Sequence, residues 1–279
     1  MGCIPCFFKQ AIRAARIAHL KDKDILRVIN AVALHLLKIS LHTSPPEIGM
    51  VIYKTIYRIS KNSDPYREIK ERCTENLLAL YPQLQDKIIS SKDSLYTALT
   101  FAALANAIDL GADHNFDFNK IIRTFFHQDF EISEYNEFKK TLKKAKHILY
   151  IADNAGETVL DKLLIEQLNK PVIYAVRNKP IINDATIDDA RHAGIDNIAE
   201  VISSGCDAPG TILKLCTTQF KKIFWSADMV ISKGQGNYET LSDTNRPIFF
   251  LLQLKCPVVA RNLRLKRKST ILITNKYGQ

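Results

Sequence analysis

A chain of 279 residues that is 46% hydrophobic can bury a sizeable core, and it is expected to fold as one large globular domain or two modest ones rather than stay disordered. No apolar stretch reaches the roughly 18 to 20 residues of a membrane span, and the first residues lack the charged-then-apolar form of a signal peptide, so a cytoplasmic location without membrane partners is expected. The formal net charge of +10 permits attraction to polyanions without prescribing a reaction, and six cysteines are too few for a disulfide framework.

Cys3-x-x-Cys6 has the spacing of half a zinc site or a redox pair, but no second CxxC or spaced histidine pair completes it, so reduced thiols at a helix start are expected. From Phe7 to about Ala145 apolar residues recur at three- and four-residue steps, as in Leu26, Val28, Ile29, Val32, Leu36 and Leu37, which predicts helices. Ser44-Pro45-Pro46, Asn62-Ser63-Asp64-Pro65 and Ser91-Lys92-Asp93 read as stops followed by N-terminal caps. Asn106 with Asp109, and Tyr66 with Lys70, each share one helix face; capping or solvated roles compete with a reach towards a site.

Near Lys146 the period changes, and short β-branched runs alternate with the helical segments Thr158 to Asn169, Asp184 to His192, Ala208 to Phe220 and Tyr238 to Thr244. That alternation implies βαβ units and a mostly parallel sheet, with Ile248 to Leu252, Val258 to Ala260 and Thr270 to Ile273 as further strands, one of them antiparallel at an edge. The expected fold class is therefore α/β: a helical subdomain over 1–145 packed on an α/β domain over 146–279.

In such sheets ligands bind beyond the carboxyl ends of the strands, so the four strand ends are the candidate site. Asp153 and Asn154 offer adjacent hard oxygen ligands, Gly156 permits a tight turn, and Glu157 opens a helix; a helix cap with an Asx turn is the competing reading. Asp184 could complete the oxygen set or cap a helix, and Ser204-Gly205 belongs to a small-residue loop able to cradle an anion. Lys233, at the tip of the fourth buried strand, precedes Gly234-Gln235-Gly236-Asn237-Tyr238-Glu239, where two glycines let backbone approach a phosphate or carboxylate. Neither a Walker loop nor a dinucleotide fingerprint is present, so no nucleotide cofactor is expected. Arg261 to Lys268 is a basic strip that reads as a solvated loop, an electropositive rim for a phosphorylated substrate, or a nucleic-acid patch.

Asp153-Asn154-Ala155-Gly156-Glu157, Lys179-Pro180-x-x-Asn183-Asp184-Ala185-Thr186-x-x-Asp189-Ala190, Ser204-Gly205 and Lys233-Gly234-Gln235-Gly236-Asn237-Tyr238-Glu239, with Cys3-x-Pro5-Cys6, Asp64-Pro65-Tyr66 and Ala105 to Gly111 upstream, resemble the damage-control phosphatase family. That family was long a domain of unknown function, and some members were once proposed as acidic-residue methyltransferases. The resemblance implies a helical subdomain on a Rossmann-like three-layer α/β/α domain, and one divalent cation (manganese, cobalt, nickel or magnesium) on Asp153, Asn154 and Asp184. It also implies substrate binding along Lys233 to Asn237. Hydrolysis of a phosphomonoester such as a sugar phosphate is the expected reaction, with Asp153, Asn154, Asp184 and Lys233 in catalytic roles. Glu157, Ser204, Gly205, Gly234, Gln235, Gly236, Asn237 and Glu239 are expected around the substrate. An S-adenosylmethionine-dependent carboxyl methyltransferase would want a glycine-rich first loop, where only Gly156 stands, and a non-enzymatic polyanion binder would not need the oxygen-rich strand ends; nucleic acid is not the expected partner.

Overall fold

In the computed structural model, which describes residues 3–40, 43–105, 131–132 and 134–275, the short apolar runs after residue 146 build one sheet. Its strands are β1 (Glu131–Ile132), β2 (Ile148–Ile151), β3 (Val172–Val176), β4 (Glu200–Ser203), β5 (Met229–Lys233), β6 (Phe249–Gln253) and β7 (Thr270–Thr274), in the order β1-β7-β6-β5-β2-β3-β4. Only β6 and β7 pair antiparallel among the described strands. The chain runs outward from β2 through β3 to β4, then returns to place β5 on the other side of β2. Loops therefore diverge at the carboxyl ends of β2 and β5, the switch point where such a sheet opens a crevice.

Parallel strands must be covered on both faces, and the period of two along each strand divides its side chains between two cores. Ile148, Tyr150, Met229, Ile231, Phe249 and Leu251 face α4 (Arg67–Ile89), α5 (Ser94–Ala105), α6 (Tyr135–Lys144) and α7 (Thr158–Leu168). Leu149, Ile151, Val230, Phe250 and Leu252 face α9 (Thr218–Ser226), α10 (Gln235–Leu241) and α11 (Pro257–Asn262). The short α8 (Ile187–His192) follows β3, with Thr186 and Asp189 forming its capping box. The result is a three-layer α/β/α fold.

A third core, with Phe7, Val28, Val32, Ile52 and Ile56, joins α1 (Ile4–Ile17), α2 (Asp22–Leu36) and α3 (Pro45–Ser60). The change of period near 146 thus marks the start of a central strand and not the limit of a core, because α4 to α6 cover the sheet and β1 joins it, leaving α1 to α3 as the separate layer. Three further expectations differ. Val258 to Ala260 lies in α11 and not in a strand, since Pro257 at its first turn fixes a helical φ. The helix expected from Ala208 begins only at Thr218, capped by Thr217, because Pro209 and Gly210 hold a loop. The antiparallel strand β7 is flanked by β1 and so is not at the edge. Asn106 and Asp109 lie outside the described residues. No described helix is long and apolar enough to cross a membrane, and among the described residues no disulfide joins the six cysteines.

Candidate active site

The strand ends of β2 and β3 are stitched together by backbone. Ala155 N–H donates to Asn183 O and Ala185 N–H to Asp153 O, both at 2.8 Å, closing an isolated bridge between Asn154 and Asp184. This bridge is the reason two residues thirty apart in sequence share one wall. The Asp153 carboxylate packs onto Gly234 at the end of β5, where a Cβ would stand 1.9 Å from Oδ2 and where φ is +79°, so only glycine fits. Asn154 Nδ2 donates to Asp153 Oδ2 at 3.1 Å and to Glu157 Oε1 at 2.5 Å, which fixes the amide between the two carboxylates. Burial, with Glu157 and Asp184 nearby, pushes the Asp153 carboxyl up to about 8, and burial pushes Asp184 up to about 6 against the pull of Arg177.

Beneath this floor lie paired charges. Arg177, at the end of β3 and 2% exposed, donates to Asp184 Oδ2 at 2.7 Å, Thr211 Oγ1 at 2.8 Å and Asn237 Oδ1 at 3.0 Å. Asn237 in turn donates to Ala152 O and Lys233 O, tying β2 to β5. Lys233, fully buried, donates to Glu157 Oε2 at 2.9 Å and Asp161 Oδ1 at 2.6 Å; Asp161 also accepts from the hydroxyls of Tyr150 and Tyr174 at 2.7 Å. Burial opposes the charge of Glu157, but Lys233 beside it holds the carboxyl below its usual range. A lysine so placed is a counter-ion and an anchor. Lys70 of α4, also buried, bonds Asp64 and Asp189 at 2.9 and 3.0 Å and so clamps α8 to α4 and to the turn that precedes it, which replaces the solvated role its helix face allowed.

Above the floor opens a cavity of about 520 Å³, whose wall comes from elements far apart in sequence. Gln10 and Arg13 arrive on α1, Gly49 and Tyr53 on α3, Gln235 and Glu239 on α10, and Lys255, Arg267 and Lys268 on the β6–β7 connection. Arg267 Nε donates to Lys255 O at 3.1 Å, and Gln253 Nε2 to Lys268 O at 3.2 Å, so that connection is pinned with its cations together. Gln235 reaches Glu239 Oε1 at 2.7 Å while its own Oε1 accepts from the N–H groups of Lys255 and Cys256. Burial pushes Glu239 up to about 7.

Of the residues singled out from sequence, Asp153, Asn154, Asp184, Gln235, Gly236 and Glu239 line this cavity. Glu157, Lys233, Gly234 and Asn237 support it from below. Ser204 and Gly205 do neither: Ser204 is buried with its hydroxyl accepting from Cys206 N–H, and Gly205 packs against Thr217, so the anticipated anion cradle is a closed loop. Sequence reading gave no role to Arg177, Asp161, Thr211, Gln10, Arg13, Tyr53 or Lys255. Arg177 had a legible signal, a lone cation ending a buried strand ahead of Asp184; the wall residues had none.

The donors at the floor are two carboxylates and an amide oxygen, with no histidine or cysteine among the residues lining the cavity, a set that fits a hard divalent cation. Among the described residues no three His, Cys, Asp or Glu side chains form a metal cage, so a cation here would rest on the two carboxylates and the Asn154 amide.

The profile of the damage-control phosphatase ARMT1-like domain matches residues 1–271. A damage-control phosphatase of Pyrococcus horikoshii is 34% identical, with 99% of this chain and 97% of that protein covered, and an uncharacterized protein of Methanocaldococcus jannaschii is 35% identical over 97% and 93%. A crystal structure of a DUF89 family protein from Pyrococcus horikoshii superposes with a TM-score of 0.89 at 33% identity, covering 99% of this chain and 98% of that one.

Proposed function

The chain belongs to the damage-control phosphatase ARMT1-like domain family, and from that premise we propose that it is a phosphatase of metabolite repair that hydrolyses small phosphomonoesters, sugar phosphates among them, with one divalent cation held by Asp153, Asn154 and Asp184. The observation that carries this reading is the backbone bridge that sets Asn154 and Asp184 beside Asp153 in a cavity whose wall is cationic. When bound, the cation supplies Lewis-acid polarisation of the phosphoryl group.

The protein's own groups supply the rest. Asp153 and Asp184 are held close enough to repel each other's charge, which favours a cation over protons as pH rises. Lys255, whose charge acts on both Asp153 and Glu157, neutralises the phosphoryl oxygens. Lys233 and Arg177 fix Glu157 and Asp184 from behind, so the donor oxygens need no reorganisation on binding. Glu239, carrying a proton up to about pH 7, stands on the wall as the donor to the departing oxygen.

Phosphate release from a panel of sugar phosphates tests the assignment, with manganese, cobalt, nickel, magnesium or a chelator added. Activity should require a divalent cation and vanish in Asp153→Ala. Chelator-insensitive hydrolysis would reject the cation, and transfer of radiolabel from S-adenosylmethionine without phosphate release would replace the phosphatase with a methyltransferase.

A further inference from the structure

The loop that delivers Asp184 is strained. Between β3 and α8 the chain turns at Ile181-Ile182-Asn183-Asp184, closed by Asp184 N–H donating to Ile181 O at 3.0 Å, and the second residue of that turn, Ile182, has a φ of +49°. Glycine ordinarily takes such a place, and a β-branched side chain there is an outlier. The other described non-glycine residues with positive φ are His19, Lys61, Asn169, Arg264 and Lys268, none of them β-branched.

A conformation of this kind persists only where the surroundings over-determine it. Downstream, Asn183 O accepts from Ala155 N–H and Ala185 N–H donates to Asp153 O, both at 2.8 Å, so the exit of the turn is sewn to the end of β2. Upstream, Ile181 is buried and packs together with Ile182 on the core formed by α1 to α3. At the strained residue itself, Ile182 N–H donates to Tyr57 Oη of α3 at 3.0 Å. The strand-end bonds therefore hold Asn183 and Ala185, whereas the tyrosine holds the residue whose φ is inverted. Relaxation of Ile182 to negative φ would open the turn, and Asp184, two residues on, would leave its place beside Arg177 and Asn154. Tyr57 is not among the residues lining the cavity, so any influence it has on the site passes through this turn.

Resting on the cation reading above, we infer that Tyr57 is a positioning residue of the site: its hydroxyl accepts the Ile182 N–H, keeps the strained turn closed and so holds the Asp184 carboxylate beside Asp153 and Asn154. The helical layer thereby sets the affinity of a site built at strand ends.

Manganese titration of the chelator-treated full chain, followed by calorimetry, tests this. Tyr57→Phe removes the acceptor, keeps the ring and should weaken manganese binding about tenfold. Adding Ile182→Gly to Tyr57→Phe should return the affinity to within about threefold of the parent, because glycine adopts positive φ without strain. Ile182→Asn, which also tolerates that φ and keeps a side chain on the cavity wall, should rescue in the same way. A tyrosine that served only the stability of the fold would lower Tm without changing affinity, and no substitution at Ile182 would compensate for its loss. Hydrogen exchange of the metal-free protein gives a readout that needs no cation: the Asp184 and Ala155 amides, whose acceptors are Ile181 O and Asn183 O, should exchange about tenfold faster in Tyr57→Phe. Parent-like affinity and exchange in Tyr57→Phe would overturn the inference, as would a loss of affinity that neither substitution at Ile182 recovers. If the parent itself binds no manganese the cation reading falls, while faster exchange at Asp184 in Tyr57→Phe keeps the hold of Tyr57 on the turn and unchanged exchange removes it.

Discussion

The floor and the wall of the cavity are built on opposite principles. On the floor, Asp184, Glu157, Asp161, Arg177 and Lys233 are nearly or fully buried and each charge is matched by a partner within 3 Å. On the wall, Arg13, Lys255, Arg267 and Lys268 are exposed side chains that share the cavity with few acidic neighbours. Buried paired charges are rigid and costly to disturb, so they position; exposed charges are cheap to change, so they select. The molecule thus separates the part that fixes geometry from the part that chooses a ligand.

Substitutions should divide along the same line. The largest effect belongs to the donor set: Asp153→Ala or Asp184→Ala should lower cation-dependent phosphate release by more than about a thousandfold, several kcal/mol in transition-state terms. Next come the buried cations. Arg177→Met leaves Asp184 without its partner and Lys233→Met strands Glu157 and Asp161, so each should cost about 3–5 kcal/mol of stability in denaturant titrations. If Lys233 instead bound substrate directly, its replacement would raise KM with little change in stability, and the comparison would break there.

The floor also predicts a pH response of the metal-free protein. An unfolded aspartate titrates near 3.8, whereas Asp153 in the fold keeps its proton up to about 8, so between those values the folded state binds more protons and stability falls as pH rises. Thermal melts of chelator-treated protein should therefore show a lower Tm at pH 8 than at pH 5, and Asp153→Asn should flatten that slope and raise Tm at the upper end. The smallest change is expected on the wall. Lys255→Gln should reduce kcat/KM about tenfold, roughly 1.4 kcal/mol, with Tm unmoved and with a weaker dependence on salt than the parent.

Legibility in the sequence followed the same division. Asp153, Asn154, Asp184 and the run from Lys233 to Glu239 stand directly behind buried strands, so the change from apolar run to polar residue announced them, and the sheet brings their strands together as expected. Their sorting into ligands and supports was not legible, because whether Lys233 points into the cavity or under it depends on Asp161 and two tyrosines one layer down. Ser204-Gly205 misled for a related reason: the loop has the composition of an anion cradle, but Thr217 folds back onto it. Gln10, Arg13 and Tyr53 gave no local signal at all, since only the packing of α1 and α3 over the strand ends carries them to the site. The basic strip from Arg261 to Lys268 was visible as charge, but not that Arg267 and Lys268 would line the cavity while Lys266 does not.

The central claim is that the strand-end floor is a cation site and the wall is not. Titration of manganese into chelator-treated protein, followed by calorimetry, tests it most directly. One equivalent should bind to the parent and to Arg267→Gln with similar affinity, while Asp153→Ala and Asp184→Ala lose binding; retention of full affinity in either aspartate variant would contradict the account.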